Sequence, residues 1–167
     1  MRLNYFGPIF AAKGEQVLRV YLTIIDETEE AHVALRFAAR RAAKTGGAVH
    51  LLALVPKQAF NAFGGVQATI EAEARDRAEV MANGAAGELM VESGKMPQIA
   101  VRVGDGKTVI AQYLEDHPEV AALVLGAAAD GSPGPLVTHF SNNIGQLQCP
   151  LFIVPGGLSD EDLDRLS

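Results

Sequence analysis

A doubly wound α/β domain is predicted by three features of the chain. Short apolar runs alternate with stretches of helical period in the order βαβαβαβαβ, the pattern of a parallel sheet with crossover helices. The runs are apolar on both faces rather than alternating, as strands buried inside such a sheet must be. The fourth run ends in LVLG at Gly126 and gives way to a small-residue loop, AAADGSPGP, before the next helical pattern. A glycine at a strand end, followed by a loose loop and a helix start, is where these sheets turn helix amides toward an anionic ligand. Right-handed crossovers then place helices on both faces.

The chain has 167 residues, 49% of them apolar, enough for one domain with a substantial core and too few for two. Its formal charge of -6 and the lack of a dense Lys/Arg cluster argue against a nucleic-acid surface, which needs basic groups to displace counterions from phosphate. Cys149 is the single cysteine, so no intrachain disulfide forms. No apolar run reaches membrane-spanning length, and Pro8 and Lys13 interrupt the apolar part of the N-terminal segment, so a signal sequence is not read there. A cytoplasmic protein with no membrane partner is the expectation.

Residues 1–17 form an N-terminal extension with glycines, a proline and no period, in which Tyr5, Phe6, Ile9 and Phe10 are able to adhere to a surface. The main domain is predicted over 18–156. Its first strand, LRVYLTII, starts at Leu18 and stops at Asp26; DETEEAHVALRFAARRAAKTGG follows as an alanine-faced helix with a Gly pair as its stop. AVHLLALV is the second strand, ending at Val55, and PKQAFNAFGG reads as a loop. A long helix runs from Val66 to about Ser93 with Ile70, Ala74, Met81, Ala85 and Leu89 inward, and the spacing predicts Glu71–Arg75 and Glu73–Arg77 ion pairs.

PQIAVRV is the third strand, Gly-Asp-Gly a turn, Lys107 to His117 a short helix, VAALVLG the fourth strand, Leu136 to Leu147 the fourth helix and PLFIVP the fifth strand. A tail over 157–167 begins with Ser159 and Asp162 in capping-box spacing, and its Leu158, Leu163 and Leu166 are free to dock.

The candidate chemistry is sparse. No P-loop, GxGxxG run or nucleophile elbow occurs. His32, His50 and His117 read as isolated, no two histidines have the spacing of zinc ligands, and no protein metal site is expected. Cys149 reads as a small core residue. Asp26, at a strand end, offers an acceptor for an exocyclic amine or a ribose hydroxyl, and equally serves as a helix N-cap with Glu29 completing the box. His139 lies near Thr138 and Ser141, a tempting catalytic grouping, though a histidine on a helix is more often a packing residue.

Taken together, the strand ending at Asp26 with its alanine helix and AVHLLALV, the segment VRVGDGKTVIAQYLEDHPEVAALVLGA and the close IGQLQCPLFIVP resemble the universal stress protein family over about Leu18 to Pro155. The resemblance implies a five-stranded parallel sheet in the order 3-2-1-4-5, of the Rossmann-like nucleotide-binding alpha hydrolase type. It implies a stress-response regulator or sensor that binds an adenine nucleotide, ATP or AMP, with Mg2+ accompanying it.

The nucleotide-binding positions it implies are Asp26, Val55, Gly104, Gly126, Ala129, Gly131, Ser132 and Thr138, with no catalytic residue. Val55 is explained as well by being the last buried residue of its strand, and Gly104 by the Gly-Asp-Gly turn. ATP-binding members carry G-x2-G-x9-G-[ST] after the fourth strand. Here Gly126 is followed by Ala129 at the second position and by Val137-Thr138 at the last pair, two residues early. Ala129 disfavours positive φ and Val137 is expected to obstruct the amides, while Gly131, Ser132 and Gly134 offer an alternative cradle.

The resemblance further implies a homodimer through the fifth strand, Leu151, Phe152, Ile153 and Val154, unless the C-terminal helix covers that edge instead. Two alternatives stay open: a dimeric scaffold that binds no nucleotide and acts through protein partners, and a slow nucleotide hydrolase using Asp26 or His139 with Mg2+.

Overall fold

The computed structural model describes residues 18–57 and 64–167. The expected extension over 1–17 and most of the loop after the second strand lie outside the described residues. The elements are β1 (Val20–Ile25), α1 (Glu29–Thr45), β2 (Ala48–Val55), α2 (Gly64–Ser93), β3 (Gln98–Val103), α3 (Gly106–Asp116), β4 (Val120–Ala127), α4 (Pro135–Asn142), a 3-10 turn (Ile144–Gln146), β5 (Leu151–Pro155) and α5 (Asp160–Leu166). The sheet is parallel throughout, in the order β3-β2-β1-β4-β5.

Every residue of β1 is buried, and its side chains alternate between two apolar layers. Tyr21 and Ile25 join α1 and α2 on one face; Val20, Leu22 and Ile24 join Ile110, Tyr113 and Leu114 of α3 and Phe140 of α4 on the other. This is why the strand reads as a continuous apolar run. Helix α1 presents Ala31, Ala34, Ala38, Ala39 and Ala42 to the sheet, and these short side chains let its backbone come close. At Gly126 of β4 the approach is so tight that a β-carbon would lie 2.0 Å from the Glu30 carbonyl oxygen. Gly126 is therefore required by packing, whatever else it does.

Helix α1 is capped by Thr28, whose side chain accepts from the Ala31 amide. Asp26 is not the cap: its Oδ1 accepts from the amide and the hydroxyl of Thr28 at 2.8 and 2.6 Å, bracing the cap from two residues earlier. On α2, Arg75 pairs with Glu79 and Gln67 donates to Glu71, in place of the expected Glu71–Arg75 and Glu73–Arg77 pairs. Helix α4 stops at Asn142 and not at Leu147, because the chain tightens into the 3-10 turn.

The C-terminal helix docks on α1. Leu163 is fully buried, and the Arg40 side chain, only 13% exposed, donates to Glu92, to the Asp160 carbonyl and to the Asp160 carboxylate. The Glu92 bond holds the Arg40 guanidinium above its ordinary value, against the cost of burial. Leu158 packs beneath, while Leu166 is exposed. The α5 helix thus packs chiefly on α1, and β5 remains the last strand of the sheet with Ile153 exposed.

Candidate functional site

The carboxyl ends of β1, β2, β3 and β4 converge on a crevice, and Asp26 stands at its centre. Asp26 borders three cavities. The first, about 140 Å3, lies between α1 and α4 and is lined by Asp26, Thr28, Glu30, Gly126, Gly134 and Val137, among others. The second, about 530 Å3, lies over the ends of β1, β2 and β3 and is lined by Ile24, Asp26, Leu54, Lys57, Gly104 and Lys107, with Pro135 and Leu136 closing one side. The third, about 420 Å3, runs from Asp26 past Val55 to Arg77 and Met81 of α2.

Four of the sequence-derived positions, Asp26, Val55, Gly104 and Gly126, therefore surround one crevice. The Val55 carbonyl is already engaged, accepting from the Gly104 amide at 2.9 Å. Ser132 and Thr138 fall elsewhere, on a separate cavity of about 540 Å3 along the outer side of α4 with Lys107, His139 and Asn142. Ala129 and Gly131 line none of these cavities. Lys107, one residue into α3, borders both the Asp26 cavity and the Ser132 cavity. It joins the two.

The loop after β4 is built differently from the expected glycine motif. Among the described residues no residue other than glycine has positive φ; Gly131 (75°) and Gly134 (104°) supply the left-handed turns, so the Ala129 methyl imposes no strain. Val137 does not obstruct the loop, because its side chain is buried in the second apolar layer. What limits the loop is Pro135 at the helix start. Proline has no amide proton, and the Thr138 amide and hydroxyl are both taken by the Gly134 carbonyl, at 3.0 and 2.9 Å. The first turn is left with the amides of Leu136 and Val137 for an anion. Ser141 likewise spends its hydroxyl on the Thr138 carbonyl.

Charge divides the crevice. Asp26 and Glu30 face the smallest cavity with no basic partner lining it, whereas the large one has Lys57 and Lys107 beside Asp26 and Asp105. Asp105 is committed to capping α3: it accepts from the Thr108 amide and hydroxyl, which holds its carboxyl below the usual range. Lys57 and Lys107 are thus the cations of the large cavity, with Arg77 on the third, and neither lysine stood out by pattern. Only the placement of Lys107 directly after Gly-Asp-Gly gave a signal. His139 lines the outer cavity with Thr138 and none of the three cavities that Asp26 borders.

The histidines are not all isolated either. His50 of β2 and His117 at the end of α3 meet edge to face, with ring centroids 5.4 Å apart, and His32 lies 3.7 Å from Glu88. Cys149 is half-buried against the second layer, and burial raises its thiol above the ordinary value.

Comparison with known proteins agrees with the topology. The Universal stress protein family model matches residues 19–155. The chain belongs to the universal stress protein family. Solved structures of similar fold include the universal stress protein UspA from Lactobacillus plantarum, 17% identical, covering 81% of this chain and 97% of that one with a TM-score of 0.69. A universal stress protein family member from Burkholderia pseudomallei, 15% identical, covers 85% and 98% with a TM-score of 0.63. A family protein from Arabidopsis thaliana, 13% identical, covers 86% and 94% with a TM-score of 0.51. No curated protein matches the sequence. Among the described residues no helix is long and apolar enough to cross a membrane.

Proposed function

We propose that the crevice binds an adenine nucleotide, with the nucleoside over the ends of β1 to β3 and the phosphate directed toward Lys107 and Ser132, and that the protein acts as a sensor of that ligand. The observation that carries this reading is that Asp26 and Lys107 border one cavity of about 530 Å3, a size suited to a small ligand. One end offers an acceptor for the amine of a base or the hydroxyls of a ribose, the other a cation for phosphate. The Arabidopsis family structure is described with AMP bound, which supports the class of ligand.

A monophosphate suits this loop better than a triphosphate. Pro135 and the engaged Thr138 amide leave few donors for further phosphates, and Asp130 adds a like charge to the loop. Mg2+ would come with the phosphates of ATP. Among the described residues β5 is an edge strand with Ile153 exposed, which supports a homodimer that pairs Leu151 to Val154 with a second copy, and a cytoplasmic location goes with the same reading.

Isothermal titration with AMP, ADP and ATP tests the proposal. Heat from AMP with one site per chain is the expected result; no heat from any of the three at millimolar concentration would leave only the scaffold reading.

A further inference from the structure

At the opposite end of the sheet from the crevice, His50 meets a pair of residues far from it in sequence, His117 and Glu119. His50 lies five residues before the crevice end of β2, about 16 Å from Val55 along the strand. His117 and Glu119 flank Pro118 in the turn from α3 into β4. One nitrogen from each ring and a Glu119 carboxylate oxygen all lie within 4.8 Å of one another.

We propose that His50, His117 and Glu119 form a binding site for a divalent transition ion of the Zn2+ class, with the remaining coordination position open to water. Two imidazoles and a carboxylate are a donor set that zinc accepts, with donors at about 2.0–2.2 Å from the ion. Tetrahedral geometry at that radius sets donors about 3.3 Å apart, so the present spacing closes by rotation of the exposed Glu119 side chain and the half-buried His117 ring.

The orientation of the rings is built into the fold. His50 is 6% exposed, and its Nδ1 lies 3.0 Å from the Tyr113 hydroxyl oxygen. With the Nδ1 proton donated to that oxygen, the Nε2 lone pair is free for an ion, the arrangement by which outer partners aim a histidine ligand. Tyr113 also stacks on the His117 ring, at 4.1 Å between centroids and 27° between planes, so one buried phenol positions both imidazoles. The His117 Nδ1 is 2.9 Å from Glu119 Oε1; an ion would replace the proton these two share. Such an ion would tie the end of α3 to β2 and stabilise the folded state by binding it alone.

The test is calorimetric titration of chelator-treated, tag-free full-length protein with Zn2+, alongside thermal unfolding. The expected result is one ion per chain in the micromolar range or tighter with a raised Tm. Tyr113→Phe should weaken binding by about 10–100-fold, the usual cost of losing an orienting partner. His117→Gln and Glu119→Gln, at half-buried and exposed positions, should keep the native circular dichroism spectrum and lose the Zn2+-dependent rise in Tm. Co2+ in place of Zn2+ should give the visible bands of an imidazole-ligated ion. Absence of binding at micromolar Zn2+ would overturn the site, as would binding of undiminished affinity in either the His117 or the Glu119 variant.

Discussion

The space a side chain would need at Gly126 is filled by the backbone of Glu30: a β-carbon there would sit 2.0 Å from the Glu30 carbonyl oxygen. The neighbour is main chain, so it cannot swing aside. Gly126→Ala must push the first turn of α1 off β4 and is expected to cost about 3 kcal/mol, the upper end for overpacking. Urea denaturation should show a lower midpoint with an unchanged slope. Because Asp26 and Thr28 at the crevice lead directly into that turn, nucleotide affinity should fall with it.

The division of charge in the crevice gives a sharper expectation. Lys107→Ala should weaken AMP by about tenfold or more, as loss of a charge-assisted bond does, and leave adenosine unaffected. In the wild-type protein ATP should gain no affinity over AMP, since the loop with Pro135 offers its outer phosphates few amides. Competition titrations with the three ligands measure both effects.

Stability should decline on acidification. Asp105 is held below the usual carboxylate range by the Thr108 amide and hydroxyl, and Asp162 by Arg165 and then by Ser159. A depressed folded pKa means that the unfolded chain binds more protons, so the contribution is complete above about pH 5 and is lost as pH falls through the folded values. Asp105→Asn should flatten the fall in Tm below about pH 5. The wild-type loss should be greater than that of the variant in the same buffers.

The position of β5 at the edge of the sheet gives a prediction about assembly. If two copies pair along it, Ile153→Lys, at an exposed position, should convert a dimer into a monomer in sedimentation velocity without changing the circular dichroism spectrum.

The layered fold was legible because burial on both faces leaves a direct trace: β1 and β2 are apolar runs, and the alanines of α1 repeat with helical spacing. Strand order was not, since nothing local to β4 says that it lies beside β1; that came through the family resemblance. Strand-end positions such as Asp26 and Gly126 could be singled out because a parallel sheet gathers its carboxyl ends on one side. Lys107 read only as the start of a short helix, since its place on one cavity with Pro135 and Leu136 depends on where α4 crosses. The His50–His117 contact was invisible for the same reason. The two are brought together by β2 lying under the end of α3, with no spacing in the chain to announce it. The cap of α1 fell two residues later than read, since Asp26 and Thr28 both suit an N-cap and the geometry gave the role to Thr28, whereas Ser159 caps α5 in the expected spacing with Asp162.

The central claim is that Asp26 and Lys107 mark the two ends of one nucleotide. Crystals grown with saturating AMP test it most directly. The account predicts density in the cavity over β1 to β3, the base or ribose within hydrogen-bond distance of the Asp26 carboxylate and the phosphate within reach of Lys107. A nucleotide bound elsewhere, or an empty cavity at saturating AMP, would contradict it.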